Sequence, residues 1–167
     1  MPTSHSSRES YSFHWVALVF FLILCLATAG LGAALTDLSV RDWYVGLEKP
    51  SWNPPNWVFG PVWTGLYIGM AIAAWLVWRR KGLADAWLPL LLFGLQLFLN
   101  AAWSALFFGM RSPGIALADI LMLWIAILAT IVAFRRVSNL SAALLVPYLA
   151  WVSFATALNW CIWRMNP

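Results

Sequence analysis

An uncharged run, WVALVFFLILCLATAGLGAALT, occupies residues 15 to 36 of the chain. A helix rises ~1.5 Å per residue, so about 20 apolar residues are enough to cross the ~30 Å hydrocarbon core of a bilayer. This run has that length and contains no acidic or basic side chain. It therefore predicts a membrane-spanning helix over residues 15–35.

Four further stretches of the same character follow along the chain. Three contain no charged residue, at 50–78, 86–110 and 137–163, and the fourth, at 112–134, contains one carboxyl, Asp119. Lipid offers no partner to backbone amides, so loops must fall at the charged and proline-rich breaks. We therefore predict one all-α integral membrane bundle over residues 1–167. Its five transmembrane helices are predicted at about 15–35, 61–79, 87–108, 113–134 and 142–163.

The composition supports this class and excludes others. The chain is 63% hydrophobic and 10% charged, has 13 tryptophans, and has a mean hydropathy of +0.79. Soluble domains are about half apolar and a quarter charged, so a soluble fold is excluded. The +4 net charge comes from scattered basic residues, which argues against a nucleic acid partner. The serine-rich segment 1–12 has no apolar periodicity and is predicted to be disordered.

The first span has a second interpretation. Arg8, the apolar run 15–27 and the small residues 27–29 also resemble a signal peptide with its cleavage site. However, the apolar run continues to residue 36 through small residues, which is longer than the ~7–15 residues usual for a signal peptide. A packed membrane helix is the interpretation we favour.

Basic residues in the short loops predict the orientation of the bundle. With five spans, the amino-terminal side carries six of them and the other side four. We therefore expect the amino terminus in the cytoplasm, in a bacterial cell membrane, and the first loop outside. The two sets are Arg8, Arg79, Arg80, Lys81, Arg135 and Arg136, against Arg41, Lys49, Arg111 and Arg164.

Several kinds of chemistry lack candidate residues. Cys25 and Cys161 fall inside spans, where a thiol is ordinarily a small apolar group and not half of a disulfide. His5 and His14 have no companions at metal-site spacing, and the chain contains no phosphate-binding loop or nucleophile motif. We predict no metal site and no required cofactor.

The segment WYVGLEKPSWNPPNWVFGPVW, at residues 43–63, carries four prolines within twelve residues. Each proline removes an amide donor and restrains the residue before it, which predicts a stiff loop over residues 36–60. Its Trp and Tyr rings are typical of anchors at the membrane interface. Alternatively, the loop is a lid that holds flat rings over the mouth of the bundle to stack a flat ligand.

These residues and several later ones in the chain form a series with a characteristic order and spacing. The elements, in order, are Trp43-Tyr44, Leu47, Lys49-Pro50, Trp52, Pro54-Pro55, Trp57, Pro61-Val62-Trp63, Gln96, Asn100, Trp103, Phe107-Phe108-Gly109, Pro147-Tyr148-Leu149-Ala150-Trp151 and Asn159. This series resembles the TspO/MBR family of tryptophan-rich sensory proteins and translocator proteins. The resemblance extends from residue 43 to residue 159.

The resemblance implies a five-helix bundle, commonly a homodimer, that binds porphyrins and other flat apolar molecules beneath the first loop. Animal members also bind sterols, but Trp160 stands here where the sterol consensus has tyrosine. The residues that the resemblance places in the pocket are Tyr44, Trp52, Trp57, Phe59, Trp63, Asn100, Trp103, Trp151, Ala155 and Leu158.

The chemistry of these side chains agrees with a tetrapyrrole ligand. Indole rings bury a large flat face, and Asn100, Arg41, Lys49 or indole N–H groups can meet its propionates. Haem iron usually has a positioned His, Cys, Met or Tyr ligand, so a free-base porphyrin fits better. We expect a porphyrin-binding protein in tetrapyrrole transport, sensing or regulation. The alternatives are a light-dependent porphyrin-degrading enzyme that uses Trp63 and Trp151, and a sterol- or lipid-binding protein.

The sequence leaves two interpretations for the polar side chains inside the spans. Asp119 is either a functional carboxyl or a structural partner within the bundle. Gln96 and Asn100 are four residues apart and share one face of the third helix. Their amides are expected either to join neighbouring helices or to line the pocket.

Overall fold

The computed structural model describes the backbone of residues 5–167, and the side chains of residues 14–37, 39–40 and 42–167. Within these residues the chain is helical, without strands, and five of its helices are long and apolar enough to cross a membrane. The all-α membrane class predicted from the sequence is confirmed. The helices are α1 (His5–Ser39), α2 (Asn56–Asp85), α3 (Trp87–Ser104), α4 (Pro113–Arg135) and α5 (Asn139–Met165).

The helix ends differ from the predicted ones. Helix α1 begins at His5, so residues 5–12 are helical where we predicted disorder, and residues 1–4 lie outside the described part. Residues 5–14 contain neither Gly nor Pro, so nothing in them stops the helix of the first span. Helix α2 begins at Asn56 and includes Pro61 in its second turn, where the missing N–H removes one backbone hydrogen bond, an interruption that membrane helices tolerate.

The first loop is consequently shorter than predicted. Helix α1 continues into a π-helical turn, Val40–Tyr44, and α2 begins at Asn56. Only residues 45–55 separate these elements, instead of the predicted 36–60. Pro50, Pro54 and Pro55 fall in this interval and account for its stiffness.

A second π-helical turn, Ala105–Gly109, follows α3 and packs against the first. The Tyr44 ring lies 6.4 Å from that of Phe107 and 5.8 Å from that of Phe108. The Ser39 hydroxyl donates a 2.6 Å hydrogen bond to the Phe108 carbonyl. The two turns therefore brace each other at one end of the bundle.

The core lies between α2, α3, α4 and α5, where Met70, Phe93, Ile127 and Tyr148 are fully buried. Helix α1 lies to the side, and of its side chains between residues 14 and 37 only Phe21 and Cys25 are buried. The far end of α2 is interrupted at Gly82, whose φ of +69° favours glycine.

Candidate ligand-binding cavity

A cavity of about 410 Å³ lies beneath the two π-helical turns, between α1, α2, α3 and α5. This volume is within the ~300–1,000 Å³ typical of small-molecule sites. Eight of the lining residues are aromatic. They are Tyr44, Phe59, Trp63, Tyr67, Trp103, Phe107, Phe108 and Trp151.

The indoles of Trp63 and Trp151 meet at one side of the cavity. Their ring centroids are 6.5 Å apart and their planes make an angle of 87°. Phe59 adds an edge contact to Trp151 at 5.8 Å. Because the two indoles are perpendicular and already in contact, a flat ligand cannot be sandwiched between them. It can stack on one ring and meet the edge of the other.

A buried hydrogen-bond network forms one polar part of the wall. Asn100 accepts a hydrogen bond from the Tyr67 hydroxyl through Oδ1 and donates one to the Tyr148 hydroxyl through Nδ2, at 3.1 Å. Tyr67 and Asn100 line the cavity, and all three side chains are buried. The Asn100 amide therefore connects α2, α3 and α5 and is held in one orientation.

A second buried amide, Asn159, fixes the position of Trp103. Its Oδ1 accepts a 2.9 Å hydrogen bond from the Trp103 indole, and its Nδ2 donates a 2.7 Å bond to the Pro113 carbonyl. The Trp103 ring in turn stacks on Phe107, with centroids 5.2 Å apart. This junction joins α3, α4 and α5 and sets the angle of an indole in the wall.

Trp151 supplies an unused hydrogen-bond donor. Its indole nitrogen is buried and has no hydrogen-bond partner among the described residues. A buried donor without a partner is destabilising by about 1–3 kcal/mol, and an acceptor on a ligand would relieve that penalty. The Trp151 ring lines the cavity, but the nitrogen itself is buried and not exposed to it, so a ligand would reach this donor only if the indole turned.

The first loop is tied down by hydrogen bonds near the cavity mouth. The Tyr44 hydroxyl donates to Asn53 Oδ1 at 3.2 Å, and Lys49 Nζ lies 4.7 Å above the Tyr44 ring and donates to the Leu47 carbonyl at 2.8 Å. Burial raises the pKa of Tyr44. Burial also lowers the pKa of Lys49.

The carboxyl-terminal end of α5 holds the same loop. The amide of Asn166 forms a reciprocal pair with the backbone of Glu48, accepting from its N–H and donating to its carbonyl, both at 3.0 Å. Trp52 of the loop rests edge-on against Phe154 of α5, with centroids 5.6 Å apart. The loop is therefore fastened to the end of the bundle and does not hang free.

Eight of the ten predicted site residues line the cavity. They are Tyr44, Phe59, Trp63, Asn100, Trp103, Trp151, Ala155 and Leu158. Trp52 of the loop and Trp57 of the first turn of α2 do not line it. Their surfaces are 47% and 75% exposed, which is typical of rings at a membrane interface. Lys49 also lies outside the lining, and the side chain of Arg41 lies outside the described residues.

The sequence interpretation missed several lining residues. Tyr67 and Phe107 lie four residues after Trp63 and Trp103, so helical spacing could have placed them on the same faces. Gly30 and Ala33 of α1 gave no signal, because small residues in a membrane helix are ordinarily a packing face.

The remaining polar candidates lie away from the cavity. Asp119 is buried in α4, is not part of the lining, and its Oδ2 has no hydrogen-bond partner among the described residues. Gln96 is buried and donates to the Met70 sulfur at 3.7 Å. Of the two amides on this face of α3, only Asn100 reaches the cavity.

Comparison with known proteins gives a consistent result over most of the chain. A family model described as TspO/MBR family matches residues 21–164. The tryptophan-rich protein TspO of Chlorobaculum tepidum is 46% identical over 156 residues, which cover 91% of this chain and 97% of that protein. The human translocator protein is 46% identical over 154 residues, covering 91% of each chain. A tryptophan-rich sensory protein of Cereibacter sphaeroides is 40% identical over 152 residues, covering 91% of this chain and 92% of that protein.

Proposed function

Since the chain belongs to the TspO/MBR family, we propose that its cavity binds protoporphyrin-type tetrapyrroles and other flat apolar molecules. The protein would act in the transport, sensing or regulation of such ligands. The names of its relatives, translocator protein and tryptophan-rich sensory protein, agree with these roles.

The observation that carries the proposal is the aromatic wall. Trp63 and Trp151 offer a ring face and a ring edge within one cavity, and Phe59 extends the same surface. Aromatic pairs contribute about 0.5–1.5 kcal/mol each beyond the area that they bury. Because buried neighbours hold these rings, little ordering free energy opposes binding.

The polar groups of the cavity favour a ligand that is flat but not purely hydrocarbon. The Trp151 indole N–H is buried and unpartnered among the described residues, and a turn of the indole would let it donate to a pyrrole nitrogen, a carbonyl or a carboxylate. Asn100 is already bonded to two tyrosines, so its role is to shape the wall and not to provide a free donor.

A dark titration with protoporphyrin IX tests the proposal. The purified protein in detergent is expected to show saturable quenching of tryptophan fluorescence and a shifted porphyrin absorption band. Trp63→Phe and Trp151→Phe should weaken binding, by about tenfold for a loss of ~1.4 kcal/mol. The exposed Trp57 provides the matched control, since Trp57→Phe should bind as the unaltered chain does. Absence of saturable quenching would refute the ligand assignment.

Light-dependent degradation of the bound porphyrin is the second candidate function. It is favoured by the position of Trp63 and Trp151, whose indoles face one cavity and could interact with an excited macrocycle. Illuminating the saturated complex distinguishes the two functions. Irreversible loss of the porphyrin spectrum that either Phe variant abolishes would support an enzyme, whereas a stable spectrum supports binding alone.

We also propose that the protein is a homodimer, as the family resemblance implies. The face Ala101 to Ala105 has the small-xxx-small spacing that permits close helix contact. Mass measurement in lipid nanodiscs at several protein concentrations tests this proposal. A single mass of one chain at every concentration would contradict it.

A further inference from the structure

The cavity is not equally enclosed on all sides. The lining residues contributed by α3, the second π-helical turn and α5 are all buried or half-buried. The exposed lining residues all belong to α1 and α2, and they are Gly30, Ala33, Asn56, Gly60 and Thr64. The open side of the cavity therefore lies between these two helices.

Gly30, Ala33, Gly60 and Thr64, at this opening, fall within the first two candidate membrane spans. Gly30 and Ala33 precede Asp37, the end of the first membrane span, by seven and four residues. Gly60 and Thr64 lie four and eight residues after Asn56, where the second span starts. At ~1.5 Å of rise per residue, the opening is about 6–12 Å inside the helix ends. We take this part of the two spans to face lipid chains in a membrane, with exposed Asn56 at its water-side end.

The opening lies where α1 and α2 carry small side chains. Elsewhere the same two helices are in close contact. Near the other end, Trp15 stacks on Trp75 at 6.5 Å and the Trp75 indole donates to the His14 carbonyl at 2.8 Å. In the opening, by contrast, a Cβ atom built on Gly30 or Gly60 would meet no atom within 4 Å.

The other edge of α1 is closed. A Cβ atom on Gly32 would lie 3.2 Å from the Ser104 hydroxyl, so α1 is in contact with α3 at this level. The Thr64 hydroxyl donates a 2.9 Å hydrogen bond to the Gly60 carbonyl. This hydroxyl is therefore not left without a partner where the opening meets lipid. Access to the cavity from the membrane is thus confined to the seam between α1 and α2.

The first loop, residues 45–55, contributes no residue to the cavity wall. It is held to the end of the bundle by the Asn166 pair with Glu48 and by the contact between Trp52 and Phe154. The lateral opening requires no broken hydrogen bond in the described residues that border it.

We infer that the ligand enters and leaves the cavity sideways, from the lipid phase, through a portal bounded by Gly30 and Ala33 of α1 and by Gly60 and Thr64 of α2. This inference rests on the proposed function, and it specifies a ligand that partitions into the bilayer before it binds. The portal residues would control rates, while the aromatic wall would control affinity.

Stopped-flow measurements on the full chain in lipid nanodiscs test the inference, with protoporphyrin IX as the probe and tryptophan quenching as the signal. Gly30→Leu and Gly60→Leu narrow the portal without a backbone clash. Gly65→Leu is the matched control, because Gly65 lies on α2, is exposed, has no atom within 4 Å of its Cβ position and does not line the cavity. Asn166→Ala loosens the loop and tests the route from water.

The portal predicts that both Leu variants lower the association and dissociation rate constants about tenfold while Kd changes by less than about threefold. Gly65→Leu and Asn166→Ala should keep the rates of the unaltered chain. Unchanged rates in both portal variants would overturn the inference. So would a higher Kd with an unchanged association rate, or faster rates in Asn166→Ala alone. If the unaltered chain shows no saturable quenching, the proposed function itself fails before any rates are compared.

Discussion

At the scale of single residues, buried amides organise the cavity. Asn100 joins Tyr67 to Tyr148, and Asn159 joins Trp103 to the Pro113 carbonyl. The family resemblance indicated Asn100 as a pocket residue, but its tyrosine partners depend on how α2 and α5 pack against α3. Sequence spacing within one helix does not contain that information.

Gly114 provides a test of packing at this scale. A Cβ atom at this position would lie 2.9 Å from the Trp163 indole nitrogen. We expect Gly114→Ala to destabilise the protein by about 1–3 kcal/mol, because the indole must shift. Thermal unfolding in detergent measures this effect.

The control is Gly94→Ala in α3, where a Cβ atom meets nothing within 4 Å. It should stabilise the helix by about 0.5–1 kcal/mol, since alanine loses less backbone freedom than glycine on folding. An unfolding temperature of Gly114→Ala at or above that of the unaltered protein would show that the indole moves freely.

The raised pKa of Tyr44 predicts that the stability of the folded protein depends on pH. Burial raises its pKa above the ordinary 10.0, so the folded protein favours the neutral phenol. The stabilisation is therefore fully present below pH 10.0 and is lost as the pH rises through the higher folded value. Unfolding temperatures of the unaltered chain and of Tyr44→Phe, compared from neutral to alkaline pH, measure it.

The difference in unfolding temperature between the unaltered chain and Tyr44→Phe should be constant up to about pH 10. At higher pH the unaltered chain should lose stability relative to the variant. Lys49 titrates in both proteins and largely cancels from the comparison. A difference that stays constant through the alkaline range would mean that the Tyr44 phenol is not selectively stabilised in the fold.

At the scale of elements, the existence of the helices was predictable and their ends were not. Long uncharged runs must be helical in lipid, which fixes the five spans. The π-helical turns Val40–Tyr44 and Ala105–Gly109 depend on tertiary contacts, such as those of Tyr44 with Phe107 and Phe108. The four prolines suggested a loop up to residue 60, but Pro61 is accommodated in the second turn of α2.

The connection between the first loop and α5 gives the prediction at this scale. Asn166→Ala removes both hydrogen bonds to the Glu48 backbone, and Asn166→Asp removes the donor while keeping an acceptor. We expect faster amide exchange at Glu48 in the Ala variant and an intermediate rate in the Asp variant.

Hydrogen exchange with mass spectrometric detection reports the rate for residues 45–55. Exchange in α4 should stay unchanged in both variants, which provides an internal control. Protection of Glu48 at the level of the unaltered chain in Asn166→Ala would contradict the idea that α5 holds the loop.

At the scale of the whole molecule, charge is distributed unequally between the two ends. Exposed Arg79, Arg80 and Lys81 lie at the end of α2, close to exposed Arg135 and Arg136 at the end of α4. A hydrogen bond of 3.1 Å from Arg80 to the Val137 carbonyl joins the two groups. The sequence indicated this charge asymmetry. It did not indicate the portal, because the portal depends on where α1 and α2 separate in the folded bundle.

This charge asymmetry predicts the orientation of the bundle in the membrane. On a background with Cys25 and Cys161 replaced by Ala, Glu48→Cys should react with a membrane-impermeant maleimide in intact cells. Lys81→Cys should react only after the cells are lysed, since basic loops face the cytoplasm. The reverse pattern would contradict an amino terminus in the cytoplasm.

The most direct test of the central claim is the affinity for protoporphyrin IX when the cavity is filled from within. Ala155 lines the cavity on α5, whereas Ala150 on the same helix is exposed and outside the lining. We predict that Ala155→Trp raises Kd at least about tenfold and that Ala150→Trp leaves it unchanged. Binding to Ala155→Trp as tight as to the unaltered chain would place the ligand elsewhere and contradict the account.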